Sequence, residues 1–336
     1  MNRFVRRLAI AMLLGVAVYL FFALYTGVRK IEASLQVFHW SAFAIALGLA
    51  TANYAIRFLK WQYYLKRLGV VGVPVFDSLL VFLSGFVLTV TPGKVGEIFK
   101  SAVLAKTHDV PLARTAPIVV AERLTDAIGV IVLIVLGGAA FAHGLALVLC
   151  GSLAVSVGMA LIIWPKPGLA LANYLETGPA RFRPLAPKLR EALLSLRVVA
   201  SPSALFWPTF LSVIAWSSEG CGLYVILRGF GAVIAPTVAI FFYATATLAG
   251  ALIPLPGGLG VVEGLIKGQL TEIGGVAAGP ATAAMMLIRF ATLWWAVIVG
   301  FAALFVLRLR FPDKLGGSSA SELAAPAASL GGEPES

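Results

Sequence analysis

Two short segments combine helix-breaking residues with a carboxylate, and both lie between long apolar runs. They are residues 91–97 (Thr-Pro-Gly-Lys-Val-Gly-Glu) and 254–263 (Pro-Leu-Pro-Gly-Gly-Leu-Gly-Val-Val-Glu). Proline and glycine interrupt a helix, so the next helix begins just beyond them with unpaired backbone N–H groups. Such a helix start carries partial positive charge and binds phosphate or carboxylate. The two segments therefore predict a pair of anion-binding tips.

Charged side chains near these tips extend the same chemistry. A charge inside a membrane span is costly, so it commonly faces a cavity or a charged partner. Lys94, Arg123 and Arg289 would supply positive charge, and the arginine fork suits bidentate contacts to phosphate. The acids that would hold these cations in place or carry protons are Glu97, Glu122, Asp126 and Glu263. The glycines that would let backbone approach a ligand are Gly93, Gly96, Gly257, Gly258 and Gly260.

An alternative interpretation of the charged residues is purely structural. Glu122 and Asp126 lie one helical turn apart with Arg123 between them, and with Arg289 they could form buried ion pairs that lock helices together. Pairs at helical spacing also follow each tip, where Glu97 precedes Lys100 and Glu263 precedes Lys267. Glu219 lies near the middle of its own apolar run.

The elements that carry these residues are membrane helices. Of 336 residues, 60% are hydrophobic and 12% are charged, whereas soluble domains have about a quarter charged residues. The apolar runs are continuous and do not alternate as β-barrel strands do, so the fold class is an all-α polytopic membrane protein. The net charge of +11 comes from clusters of basic residues between the apolar runs. Such clusters orient the helices in the membrane and contact anionic lipid headgroups, so they do not indicate nucleic-acid binding. The few, scattered Cys and His residues predict no metal site, cofactor or catalytic set.

Taken in order, the chain divides into five segments. Residues 1–30 predict an uncleaved N-terminal membrane helix, and residues 31–164 a first repeat with a re-entrant hairpin at 76–107. A basic cytoplasmic loop follows, then a second repeat and a disordered tail, with these bounds: loop 165–203, repeat 204–312 with a hairpin at 237–272, and tail 313–336. The first repeat contains a span at 40–59 whose basic end marks the cytoplasmic side: Arg57, Lys60, Lys66 and Arg67.

The two repeats are predicted to be inverted relative to each other. Glu97 and Glu263 are separated by the same number of residues as Arg123 and Arg289, as expected of a duplicated unit. An odd number of crossings separates equivalent spans, whether there are about six full spans with two re-entrant hairpins or eight full spans. Inverted repeats with broken helices are the architecture of many secondary transporters. Both termini are expected in the cytoplasm, and the protein in the cytoplasmic (inner) membrane.

Four motifs, in order along the chain, carry a family resemblance. They are 57–61 (Arg-Phe-Leu-Lys-Trp), 92–97, 122–126 (Glu-Arg-Leu-Thr-Asp) and 256–263. With them the sequence resembles the flippase-like membrane proteins named after the transmembrane domain of lysylphosphatidylglycerol synthase. The resemblance implies a domain that moves lipids between leaflets. Some members carry an aminoacyl-transferase domain after it, and since this chain ends at Ser336, we expect a stand-alone member.

The leading hypothesis is a flippase for a lipid with a polar or phosphate-bearing headgroup, such as a phospholipid, a polyprenyl-phosphate lipid or a glycolipid. One alternative is a membrane-embedded transferase with Glu122 or Asp126 as base. Another is a scaffold subunit that assists an envelope biosynthesis enzyme. The sequence contains no Walker A motif that would supply energy from a nucleotide.

Overall fold

The computed structural model describes residues 3–90, 96–138, 153, 185–253 and 255–315. Every regular element in that part of the chain is helical, which confirms the all-α class. Three of the described helices are long and apolar enough to cross a membrane, and a fourth candidate is bent by 91°. The predicted apolar helix near residues 144–164 lies outside the described residues except at residue 153. The first residues of the predicted disordered tail, 313–315, belong instead to a short helix in which Leu315 is buried, and the rest of that tail lies outside the described residues. The number of full spans stays a prediction.

The described part of the first half contains six helices. Their bounds are α1 Arg3–Thr26, α2 Val28–Gln36, α3 Trp40–Arg67, α4 Val75–Ser84, α5 Gly96–His108 and α6 Leu112–Gly138. The 91° bend separates α1 from α2 at Gly27, whose φ of 95° is readily adopted only by glycine. The predicted N-terminal helix therefore ends at Thr26. A 3₁₀ turn at Gly85–Leu88 extends α4 toward the first break.

The second half repeats this order after a short helix. The bounds are α7 Leu185–Val199, α8 Pro202–Gly229, α9 Pro236–Leu252, α10 Val261–Glu272, α11 Ala278–Arg289, α12 Trp295–Arg310 and α13 Pro312–Leu315. A π-helical segment, Phe290–Trp294, joins α11 to α12, so the chain is helical from Ala278 to Arg310. The helix α7 lies within the predicted basic loop.

Each interrupted helix pair folds back on itself. The helix α4 packs on α5, and α9 packs on α10. The base of the first hairpin meets the end of α12, where Arg310 Nε donates to Asp77 Oδ1 at 2.8 Å. The second hairpin ends at Glu272, just before α11 begins at Ala278. Since about 50 Å of helix separates Ala278 from Arg310, the two hairpins enter the bundle from opposite ends.

The hairpins meet inside the bundle. A Cβ atom placed on Gly257 would lie 3.7 Å from the Cα of Val90, the last described residue before the first break. Val90 and Leu259 also belong to one small buried cluster with Leu293 and Val297. The two breaks are thus brought together from opposite ends of the molecule.

The equivalent helices α3 and α8 pack antiparallel. The backbone N–H of His39 donates to Gly229 O at 3.1 Å, while Asn53 Nδ2 donates to Ala215 O at 2.8 Å. Rising residue numbers in α3 therefore meet falling numbers in α8. The remaining contacts are reciprocal, because α6 packs on α9 and α12 packs on α4. Reciprocal contacts of this kind are what a two-fold axis produces.

Close packing of α6 on α8 depends on Gly129. A Cβ atom on residue 129 would lie 2.9 Å from Ser212 Cβ and 3.1 Å from the Ser212 carbonyl carbon. We expect Gly129→Ala to destabilise the protein by about 1–3 kcal/mol, the usual result of overpacking. Thermal unfolding in detergent would measure the loss. The control is Gly48→Ala, because no atom lies within 4 Å of the added Cβ there. Equal melting temperatures for the two variants would contradict the prediction.

Candidate functional site

A cavity of about 140 Å³, lined by both apolar and charged side chains, lies between the two hairpins. Its wall contains four cationic side chains, contributed by α3, α5, α6 and α11, namely Arg57, Lys100, Arg123 and Arg289. Glu219, from α8, is an acidic residue in the same wall. Aromatic rings and hydroxyl groups complete the polar part of the lining, among them Tyr54, Thr89, Trp216, Tyr243, Thr247 and Thr292. Glycines of both hairpins, Gly85 and Gly257, also face it.

Equivalent positions of the two halves contribute to this one cavity. Arg123 and Arg289 are separated by nearly the same number of residues as Arg57 and Glu219, and all four line the cavity. The helices of one half therefore face those of the other across a shared space. The chemistry is not symmetric, because the position that carries Arg57 in one half carries a carboxylate in the other.

The second hairpin is held by Arg289. Its Nε donates to Glu263 Oε1 at 2.6 Å, and its Nη2 donates to Gly257 O at 2.8 Å. The π-helical segment begins at the next residue, and such local widening of a helix is frequent at functional sites. Arg289 thus connects the cavity, the hairpin break and the start of α10.

Glu263 occupies one of the backbone donors at the N-terminus of α10. The backbone N–H of Gly260, the residue before the helix, donates to Glu263 Oε2 at 2.7 Å. Neither Gly260 nor Glu263 is among the residues that line the cavity. The predicted pairing of Glu263 with Lys267 is also replaced, because Glu263 pairs with Arg289. The ammonium of Lys267 lies 4.4 Å from the ring centre of Tyr25.

On the opposite wall, Lys100 pairs with Glu122 between α5 and α6. The same ammonium lies 4.6 Å from the ring centre of Trp61. The helical spacing predicted Glu97 as the partner of Lys100, and the side chain of Glu97 lies outside the described part of the structure. Glu122 Oε1 is buried with no hydrogen-bond partner among the described residues.

Asp126 is the acceptor of a buried network that joins three helices. Lys60 Nζ donates to Asp126 Oδ1 at 2.6 Å and to Ser212 Oγ at 2.5 Å. Arg57 Nη2 lies 3.5 Å from Asp126 Oδ2. The span predicted at 40–59 extends to Arg67 in α3, and Lys60 is only 1% exposed. Arg57 and Lys60 therefore lie inside the helix bundle, and of the four basic residues only Lys66 and Arg67 lie at the helix end.

The predicted site residues thus divide into three groups. Those that line the cavity are Arg123, Gly257, Gly258 and Arg289. Those that hold cations or cap a helix around it are Glu122, Asp126, Gly260 and Glu263. Gly96 is the first residue of α5, while Gly93 and Lys94 lie outside the described residues. Among those residues no group of three or more His, Cys, Asp or Glu is arranged to hold a metal ion.

The sequence analysis left Arg57, Lys100, Glu219 and Tyr243 out of the site, although all four line the cavity. For Arg57 and Glu219 a signal existed, since they occupy matching positions of the repeat. Tyr243 offered none, because a tyrosine in an apolar run is ordinary until its hydroxyl is seen to contact Glu219 at 2.6 Å.

The arrangement is suited to binding an anion inside a low-dielectric region. Guanidinium groups donate several hydrogen bonds in a fixed fork, and bonds to charged groups are roughly twice as strong as neutral ones. The apolar helices around the cavity exclude water, so these contacts are stronger than they would be at a surface.

Comparison with known proteins agrees with a membrane lipid protein. No curated protein matched the chain. The family model described as the lysylphosphatidylglycerol synthase TM region matches residues 8–300, a range that contains both hairpins and every cavity residue. This match makes it a membrane protein related to lipid modification or transport. The chain therefore belongs to the family defined by the transmembrane region of lysylphosphatidylglycerol synthase.

Proposed function

We propose that this protein moves a lipid with a phosphate-bearing or otherwise polar headgroup from one leaflet of the membrane to the other. The headgroup crosses through the cavity between the hairpins, while the acyl or prenyl tails stay in the bilayer. The observation that carries the proposal is the convergence of Arg57, Lys100, Arg123 and Arg289, from four helices, on one cavity. Charged side chains within membrane spans commonly face a cavity or a substrate pathway, so four cations in one wall support a ligand of opposite charge.

The packing of the two halves supports a lipid pathway that can open from the cavity to either leaflet of the membrane. We infer that the halves are inverted copies, because α3 and α8 run antiparallel and the hairpins enter from opposite ends of the bundle. In transporters with this design the substrate lies between broken helices near the bilayer midplane. Small movements of one hairpin against the other would then open the cavity toward one leaflet at a time.

The distribution of basic residues orients the molecule. The base of the first hairpin and the ends of α3 and α12 carry Lys66, Arg67, Lys106, Arg308, Arg310 and Lys314. By the positive-inside rule this end faces the cytoplasm. We propose accordingly that the start of α1 and the end of α12 lie on the cytoplasmic side of the cytoplasmic (inner) membrane.

A transferase is less well supported by the geometry. Glu122 and Asp126, the carboxylates suited to act as base, already accept hydrogen bonds from Lys100 and Lys60. A carboxylate in this position stabilises the neighbouring ammonium, and it would have to exchange that partner before taking a proton from a substrate. A scaffold for an envelope enzyme would have no need of a cationic cavity.

Reconstitution into liposomes separates the three functions. Purified protein is placed in vesicles that contain a headgroup-labelled anionic phospholipid, with a labelled zwitterionic lipid as a second substrate and protein-free vesicles as control. We expect the label of the anionic lipid to become accessible to a membrane-impermeant quencher, with the lipid mass unchanged. A changed lipid mass would establish an enzyme. If neither the accessibility of the label nor the lipid mass changes, the scaffold function is the one that remains.

A further inference from the structure

Glu219 is a buried carboxylate that the proposed anion site does not use. It lies on α8, lines the cavity and is 5% exposed. Its Oε2 accepts a hydrogen bond from the Tyr243 hydroxyl at 2.6 Å. Unlike Glu122, Asp126 and Glu263, it has no lysine or arginine nitrogen within 4 Å in the described part of the chain.

Polar and charged groups of several helices share the cavity with Glu219 or interact with it electrostatically. They are Tyr54 and Arg57 from α3, Lys100 from α5, Arg123 and Asp126 from α6, Trp216 on α8 itself, Tyr243 and Thr247 from α9, and Arg289 and Thr292 from α11 and the π-helical segment. Two of the cations have other acceptors, since Arg289 donates to Glu263 and Arg57 lies beside Asp126. Glu219 therefore interacts with these cations only through longer-range electrostatics and forms no direct ion pair with them.

The charge balance around the cavity depends on the state of this residue. The described cations in and behind its wall are Arg57, Lys60, Lys100, Arg123 and Arg289, and the described carboxylates are Glu122, Asp126, Glu219 and Glu263. With all of these groups ionised, the described part of the site has a single surplus positive charge. Protonation of Glu219 doubles that surplus and removes a negative charge from the wall that a headgroup must face. An anion and a proton should consequently favour each other's binding.

We propose that Glu219 is a proton-binding site coupled to the headgroup site, so that an anionic lipid and a proton cross together. The inference rests on the proposed function and identifies the proton as the coupling ion of lipid transport. The proton comes from water on one side, forms an O–H bond at Oε1, and leaves to water on the other side. The Tyr243 hydroxyl donates to Oε2 throughout, so the carboxyl group keeps its position in both states. No electron transfer or second reactant is required.

The first test measures linkage in the wild-type protein. Binding of a short-chain anionic phospholipid to the detergent-purified full chain is followed in weak buffer with a pH indicator. We expect a proton to be taken up with each lipid bound, and the affinity to rise as pH falls by up to about tenfold per pH unit, the limit for a single coupled proton. Binding without proton uptake would overturn the inference while leaving the proposed function intact.

The second test assigns the proton to Glu219. We expect Glu219→Gln, a neutral mimic, to bind the anionic lipid without proton uptake and with no dependence of affinity on pH. In liposomes, a pH gradient should drive accumulation of the labelled lipid by the wild type but not by this variant. The control is Glu32→Gln, which removes an exposed carboxylate of α2 and should keep the wild-type pH dependence. Proton uptake that persists in Glu219→Gln would overturn the assignment, and a wild type that neither binds nor moves lipid at any pH would overturn the proposed function with it.

Discussion

Alanine in place of Arg123 or Arg289 is expected to slow transfer of an anionic lipid by roughly 10- to 100-fold. A hydrogen bond to a charged group contributes about 1.5–3 kcal/mol. A loss of about 1.4 kcal/mol lowers a binding or rate constant about tenfold. Both arginines line the cavity, so each variant removes donors from the place where the headgroup would lose its water. Transfer rates in liposomes, measured at equal protein content, check the result.

The controls compare the cavity arginines with an exposed arginine and with a change that keeps the positive charge. Because Arg289→Ala also leaves the buried Glu263 without its cation, the melting temperature of each variant is measured together with its transfer rate. Arg228→Ala removes an exposed arginine of α8 and should transfer lipid at the wild-type rate. Arg289→Lys keeps the charge but cannot reproduce the fork that contacts both Glu263 and Gly257, so it should retain only part of the activity. Full activity in both alanine variants would show that the headgroup does not use this cavity.

A second large effect is expected on stability, from Asp126→Ala. The carboxylate accepts from Lys60 and Ser212 and lies beside Arg57, and its side chain is 5% exposed. Its removal leaves buried cations without their acceptor, which typically costs about 3–5 kcal/mol. Thermal unfolding in detergent, followed by the loss of monodisperse protein, measures the change.

Two comparisons test the cause of that loss. Asp109 also forms an ion pair, with Lys314, but it is 83% exposed. Asp109→Asn removes this charge and keeps a residue suited to the left-handed backbone there (φ 57°), so it should cost less than about 1 kcal/mol. The double variant Lys60→Met, Asp126→Leu removes both members of the buried pair and should be more stable than Asp126→Ala alone. If Asp126→Ala and Asp109→Asn have equal melting temperatures, the buried network is not what joins α3, α6 and α8.

The two predictions concern neighbouring parts of one charged system. Asp126 is bound to Lys60 and lies beside Arg57, and Arg57 in turn faces the cavity with Arg123. The acids behind the wall allow several cations to be buried close together, since each neutralises part of its neighbour's charge. The two interpretations of the charged residues are therefore compatible. The ion pairs lie behind the cavity wall, and the cations that face the cavity form the candidate anion site.

Features that depend on short stretches of chain were predictable. Apolar composition and run length indicate membrane helices, and the predicted hairpins at 76–107 and 237–272 lie close to α4–α5 and α9–α10 as they are found. Proline and glycine interrupt helices for local steric reasons, whatever surrounds them. The bend at Gly27 was not predicted, because a single glycine within an apolar helix rarely produces one.

Composition and spacing alone determined the membrane class and the helix interruptions, and they predict a duplication, because each follows from local chemistry or from order along the chain. Tertiary structure decided which acid meets which cation. Spacing along one helix placed Lys267 beside Glu263, yet helix packing brings Arg289 there instead. Likewise Lys60 finds Asp126 across a helix contact, while Glu219 is left with Tyr243. Such partners depend on how helices are rotated and crossed, and these angles result from the packing of all side chains together.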